Sequence, residues 1–170
     1  MSNAMRSLHI DKIVVNIGVG EAGERLNKAQ KVLKMLTDHE PKVTTAKIIN
    51  RDLGLRIGMP VGCKVTLRRN DADKFLRKAL AIRENQLASY SYDQEGNLSF
   101  GISDYTDFEG MRYDPEIGIF GMDINVVFGR PGYRVSKRRI APRKIPKRHR
   151  ITREETQSFM REQFNVEVVD

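Results

Sequence analysis

Several groups of residues in this 170-residue chain have types and spacings that could do chemistry. The first is IVVNIGVGEAGERLN, Ile13 to Asn27, where Gly18, Gly20 and Gly23 follow a strand-like run in the spacing G-x-G-x-x-G. Such glycines cradle a dinucleotide when a helix begins directly after them, so that its free N–H groups and positive end meet the pyrophosphate. Here the context argues against it. The first capping pair is Asn27 with Gln30, and Glu21 and Glu24 would place carboxylates where the phosphates must lie. Counting about twenty residues on for the ribose-binding acid reaches Asp38 at a helix end, not a strand end. A glycine turn between strand and helix is the favoured reading, and a nucleotide-binding enzyme using that turn is the alternative.

The remaining reactive types assemble nothing catalytic. Asp104, Asp107, Glu109, Asp114 and Glu116 do not have the alternate spacing of a calcium loop and read as a solvated loop. Cys63 is alone and His9, His39 and His149 are scattered, which excludes a disulfide within the chain and any zinc spacing. In VGCKV, Cys63 reads as a small buried strand residue of a protein in a reducing cytoplasm. The expectation is therefore no enzyme, no metal and no cofactor.

Two groups point to polyanions. Lys64, Thr66 and Arg68 alternate along one face of a strand, and Thr44 and Asn16 from neighbouring strands can join them. Short polar side chains among basic ones suit phosphates, 2′-hydroxyls and base edges, although an alternating strand can also be only a wet face. The net charge of +8 is concentrated: ten Lys or Arg and no Asp or Glu lie between Arg130 and Arg150, leaving twenty basic against twenty-two acidic residues elsewhere. That is the footprint of a nucleic-acid contact driven by counterion release, with a solvated tail or an anionic-membrane tether as the other readings.

These groups must be positioned by a single α+β domain, for which the length suffices. Met1 to Ala4, MSNA, read as an expression remnant, with a native start at Met5. No stretch has the length of a membrane span and none resembles a signal segment, so a soluble, unexported chain is expected. Alternation predicts a strand over Lys12–Gly18, and the Asn27 and Gln30 caps predict a helix that ends at Asp38 to Pro41. Lys42–Lys47 reads as a strand, and IINRDLGLRIGMP as a basic, glycine-punctuated loop. A strand over Val61–Arg68 precedes a helix opening at Asp71 to Asp73, with Phe75, Leu76, Ala79, Leu80 and Ile82 on its buried side. Gly96-Asn97 is a turn before a strand over Leu98–Ser103, and a long strand interrupted by glycines is expected over Ile117–Phe128. Three prolines make the basic segment an extended, tethered loop, and the Thr152 and Glu155 capping box starts a last helix over Arg153–Phe164. The sheet should be mostly antiparallel, with helices packed on one face.

Several stretches together resemble one family, the large-subunit ribosomal protein L5 that binds 5S rRNA, in its archaeal and eukaryotic form. They are KIVVNIGVGE, RIGMPVGCKVTLR, GNLSFGI, YDPEIGIFGMDINVVFGRPGYRV and KRHRIT, spread over nearly the whole chain. The resemblance implies a cytoplasmic, non-enzymatic place in the central protuberance. It implies 5S rRNA contacts at Asn16, Thr66 and Arg68, with Lys64 on the same alternating face and Thr44 and Lys47 on the strand beside it as further candidate contacts. The loop of about Ile49 to Pro60 would reach the elbow of the P-site tRNA through Arg51, Leu53 and Arg56. Arg134, Lys137, Arg138, Arg139, Arg143, Lys144, Lys147, Arg148 and Arg150 would thread among large-subunit rRNA helices. Neighbouring proteins of the protuberance and the small-subunit head are further implied partners, with a monomer when free. The chain departs from the family at Asp38-His39, where relatives commonly have Gly-Gln, and at Leu53, where many have an aromatic.

Overall fold

A computed structural model describes residues 3–169; Met1 and Ser2 of the expected expression remnant lie outside the described residues. The fold is α+β, with seven strands and four helices among the described residues. Five strands form one mostly antiparallel sheet in the order β2-β3-β1-β6-β5, from β1 (His9–Gly18), β2 (Lys42–Thr45), β3 (Pro60–Leu67), β5 (Leu98–Ile102) and β6 (Met122–Gly129). The chain groups into two compact units.

One unit holds Val14–Leu67 and Phe100–Ile124. Its β1 buries Val15 and Ile17, and β3 buries Cys63, Val65 and Leu67 by the same period of two. Helix α1 (Glu24–Thr37) packs on β3 and buries Leu26, Ala29, Val32 and Leu33. Leu26, Val32 and Leu33, taken from water, contribute about 1.5–3 kcal/mol each. The helix begins three residues before the Asn27 cap that the sequence predicts, with the Asn27 N–H already donating to the Gly23 carbonyl at 3.2 Å. Gly23 is the reason: its φ of 119° is open to glycine, so the chain turns into the helix without a side-chain cap. At the other end Asp38 is left-handed and its N–H donates to the Lys34 carbonyl at 2.9 Å.

The expected strand over Ile117–Phe128 is shorter and later. Ile117 and Gly118 both donate N–H groups to the Asp114 carbonyl at 3.0 Å, closing a turn where the sequence suggests extension. The strand β6 therefore starts only at Met122.

The second unit holds residues 3–13, Arg68–Ser99 and residues 125–169. Helix α2 (Arg69–Ile82) starts ahead of the expected Asp71 and buries Ala72, Phe75, Leu76, Ala79 and Leu80, while Ile82 is only half-buried. Gly96 turns the chain toward β5 with φ 75°, and a Cβ there would lie 2.5 Å from the Thr156 hydroxyl and 2.6 Å from Ile151. No larger residue fits. Helix α4 (Arg153–Phe164) begins where its capping box predicts: the Thr152 side chain accepts from the Glu155 N–H, and the Glu155 carboxylate accepts from the Thr152 N–H at 3.1 Å. Two three-residue strands that the sequence does not announce as a pair, β4 (Gln86–Ala88) and β7 (Glu167–Val169), run parallel with Leu87 opposite Val168.

The basic segment is less extended than its prolines suggest. It carries a four-residue helix, α3 (Arg134–Lys137), and a 3-10 turn over Lys147–His149. Backbone bonds from Tyr133 to Arg130 and from Val135 to Gly132 start that helix.

Candidate nucleic-acid interface

The polar side of the first unit is built by the pairing of β2 with β3. Their antiparallel register sets Lys42 opposite Lys64 and Thr44 opposite Gly62. Because the pleat sends Cys63, Val65 and Leu67 inward, Lys64 and Thr66 must face out, and both are exposed. Thr44 and Lys42 share that side, and on β1 the half-buried Asn16 points away from Val15 and Ile17. Gly62 lets the surface close up: a Cβ there would sit 2.6 Å from the Ile17 carbonyl oxygen and 3.1 Å from Thr44 Oγ1. Lys47 stands just past the end of β2, also exposed. Among the described residues the side chains of Asn16, Thr44, Lys47, Lys64 and Thr66 have no hydrogen bond or ion pair, so their donors and acceptors are free for a ligand.

Arg68 differs from that group. It follows β3 in the second unit, where its Nη1 donates to the Asp11 carbonyl at 3.3 Å and lies 3.4 Å from Asp11 Oδ1. The other Asp11 oxygen meets Lys137 Nζ at 3.3 Å. Both cations are more than half exposed, so this carboxylate orients them without adding much stability.

Between β2 and β3 the chain forms a finger. Ala46 donates to the Met59 carbonyl at 2.8 Å and accepts from the Gly58 N–H at 3.0 Å, and Asn50 pairs with Leu55 further out. At the tip Asn50 Oδ1 accepts the N–H groups of Asp52 and Leu53, an Asx turn that fixes the bend. Arg51 and Leu53 are exposed there, and so is Arg56. Ile48, Ile49 and Ile57 join them, at 77%, 59% and 67% exposure, an apolar surface beyond the cations and Leu53 expected from the sequence. The signal was available: three isoleucines in a glycine-punctuated loop have no strand or helix period that would bury them.

In the second unit the basic segment is a loop pinned at its base. Arg130 is buried, 5% exposed, with Nη2 2.8 Å from Glu155 Oε1 and Nη1 donating to the Arg150 carbonyl at 3.4 Å. The Tyr133 hydroxyl accepts the Ile151 N–H at 2.9 Å and donates to the His149 carbonyl, and His149 Nε2 donates to the Pro131 carbonyl at 2.9 Å. Burial by itself would raise the Glu155 carboxyl, but the Arg130 and Thr152 hydrogen bonds and the Arg130 charge outweigh it and hold the group below the ordinary value of 4.5. Of the ten cations, Arg130 is thus part of the scaffold. Arg134, Lys137, Arg138, Arg139, Arg143, Lys144, Lys147, Arg148 and Arg150 are all exposed. Lys137 is tied to Asp11 and Arg150 lies 3.8 Å from Glu95; the others form no ion pair among the described residues.

Alongside its pinned basic loop and free polar sheet face, the chain matches two family models. Residues 3–56 match that for ribosomal protein L5, and residues 60–159 match that for the C-terminus of the same ribosomal family. The chain belongs to the ribosomal protein L5 family. It is similar to proteins called large ribosomal subunit protein uL5: 56% identical over 98% of this chain and 96% of the Picrophilus torridus protein. The Thermoplasma acidophilum protein is 54% identical over 98% of this chain and 99% of its own length. For that of Methanosphaera stadtmanae the figures are 45%, 98% and 99%. The L5 family is structural and non-enzymatic.

The glycine motif looks different in an L5 chain. Contrary to the sequence expectation, α1 does begin directly after Gly23, so that objection to a dinucleotide falls. Two others stand. Glu21 and Glu24 are exposed at the helix start, lining a cleft there, and Asp38 caps the end of α1 and does not end a strand. Val19 and Gly20 instead donate to the Val61 carbonyl at 2.9 and 2.8 Å, so the glycines fasten the end of β1 beside β3. In the acidic loop, Asp104 and Asp114 accept the N–H groups of Thr106 and Glu116 as turn formers. Among the described residues no group of three His, Cys, Asp or Glu could hold a metal, and no helix is long and apolar enough to cross a membrane. Cys63 is buried, which pushes its thiol up to about 11.

Proposed function

We propose that this chain is a structural component of the large ribosomal subunit in the cytoplasm, placed in the central protuberance, where its sheet face holds 5S rRNA. The observation that carries this is the set of unpartnered side chains at Asn16, Thr44, Lys64 and Thr66 on one side of the sheet, with Lys47 just past the end of β2. Hydroxyl, amide and ammonium groups offered together, without internal partners, suit phosphate oxygens, 2′-hydroxyls and base edges. Arg68, oriented by Asp11, adds a cation at the end of the same strand. The family supports the ribosomal setting.

The finger is the part we assign to the P-site tRNA elbow: Arg51 and Arg56 meet phosphates, while Leu53 packs on a ribose or base without the stacking that a ring would give. The nine exposed cations of the basic loop thread among large-subunit rRNA helices, close to neighbouring proteins of the protuberance and the small-subunit head. Free, the chain is a monomeric single domain.

The test is the affinity of labelled 5S rRNA for the whole protein and for Lys64→Ala with Thr66→Val. Both residues are exposed, so folding is preserved. Loss of about tenfold or more in affinity is expected, from one phosphate contact and one hydroxyl contact. Unchanged affinity removes the sheet-face assignment.

A further inference from the structure

Within the second unit a cavity of about 330 Å³ opens between the arms of the basic loop, β6 and the turn before β5. That volume lies in the range of about 300–1,000 Å³ occupied by small-ligand sites. Its lining includes apolar groups: Val127 and Phe128 from β6, Tyr133, and Ile145 from the returning arm. Tyr133 is held by its hydroxyl between the Ile151 N–H and the His149 carbonyl, so its ring is a fixed surface. Lys137, Lys144 and Arg150 line it as well.

Two further lining residues, Glu95 and Asn97, offer acceptors. Asn97 donates its amide N–H to Asp93 Oδ2 at 2.9 Å, which leaves Oδ1 without a partner among the described residues. Glu95 has one ion pair, to Arg150 at 3.8 Å, too long for a full hydrogen bond. A bare phosphate would leave the apolar lining unused, and a purely apolar ligand would leave Lys144 and Asn97 Oδ1 without partners. A planar ring with N–H groups on one edge and a phosphate attached uses all three kinds of group.

We propose that this cavity receives one unstacked guanosine of bound RNA. Its base lies along Tyr133 and Ile145, its N–H edge faces Glu95 and Asn97 Oδ1, and its phosphate lies near Lys144 and Lys137. Guanine is chosen because N1–H and N2–H stand side by side, the donor pair that a carboxylate accepts as a fork. This assignment rests on the RNA-binding reading of the basic loop and adds to it a built pocket for a single base.

The experiment is a titration of the 15N-labelled whole protein with GMP, with inorganic phosphate, and with the single-stranded pentamer UUGUU, following the amides of Asn97, Phe128, Ser136 and Ile145. GMP should shift these amides saturably, phosphate should not reproduce the shifts, and the pentamer should bind about tenfold tighter because its flanking phosphates reach the loop cations. Ser136→Trp, at an exposed position on the cavity lining, should abolish the response. Shifts with phosphate alone, or none with GMP, overturn the pocket, and binding of GMP without the pentamer overturns its RNA source. A protein that holds 5S rRNA yet gives no such shifts refutes the pocket and leaves the proposed function standing.

Discussion

Arg130 Nη2 lies 2.8 Å from Glu155 Oε1, joining the first residue of the basic loop to the first turn of α4. The same carboxylate closes the capping box on Thr152, so one side chain fixes both the end of the loop and the start of the helix. Replacing it as Glu155→Gln keeps an acceptor for the box and removes the charge. With Glu155 partly exposed, the loss should be about 1–2 kcal/mol at pH 7. Because the folded carboxyl is held below its ordinary 4.5, its stabilisation is present above that value and disappears as pH falls through the lowered one. Urea unfolding of both proteins should therefore show a gap at pH 7 that closes toward pH 3. A gap of the same size at both would mean that the ion pair is not its source.

Gly62 and Gly18 offer a matched pair on adjacent strands. A Cβ at Gly62 would meet the Ile17 carbonyl at 2.6 Å, whereas one at Gly18 meets nothing within 4 Å. Gly62→Ala should destabilise the protein by about 1–3 kcal/mol, and Gly18→Ala should change stability by no more than about 0.5 kcal/mol. Thermal unfolding of both variants decides it, and equal effects would show that strand approach is not what Gly62 serves.

Cys63 should be inert in the native state. Its thiol, pushed up to about 11 by burial, is protonated at pH 8 and shielded by the strands. A thiol-reactive disulfide reagent at pH 8 should label it only as fast as the protein unfolds. Stoichiometric labelling within seconds in the absence of denaturant would contradict its burial.

The finger separates binding from stability. Arg51→Ala with Arg56→Ala alters exposed side chains only, so the melting temperature should hold while tRNA affinity falls and the slope of log K against log salt shrinks by about two. Ile49→Ser with Ile57→Ser should also leave folding unchanged, since both are exposed. A collapse of the melting temperature in either variant would mean that the tip is packed in solution.

What the sequence made legible follows from which forces leave a trace in side chains. The Thr152–Glu155 box announced α4 to the residue, because a cap is a side-chain hydrogen bond written three residues apart. The pleat of β3 placed Lys64 and Thr66 outward, because burial of Cys63, Val65 and Leu67 has a period of two. The start of α1 was misread because Gly23 makes its turn with backbone torsion and needs no cap. The late start of β6 was hidden because the Asp114 carbonyl closes that turn backbone to backbone, and β4 with β7 are too short to show a period. Charge counting found the basic loop but could not tell Arg130, buried on Glu155, from the nine cations that stay exposed.

The most direct measurement is competition between 5S rRNA and tRNA for the whole protein at physiological salt, repeated across salt concentrations. Preferential retention of 5S rRNA is predicted, with log K falling against log salt at a slope of about −4 if roughly five phosphates are neutralised. Equal displacement by tRNA, or a slope near zero, would contradict the proposed 5S rRNA contact.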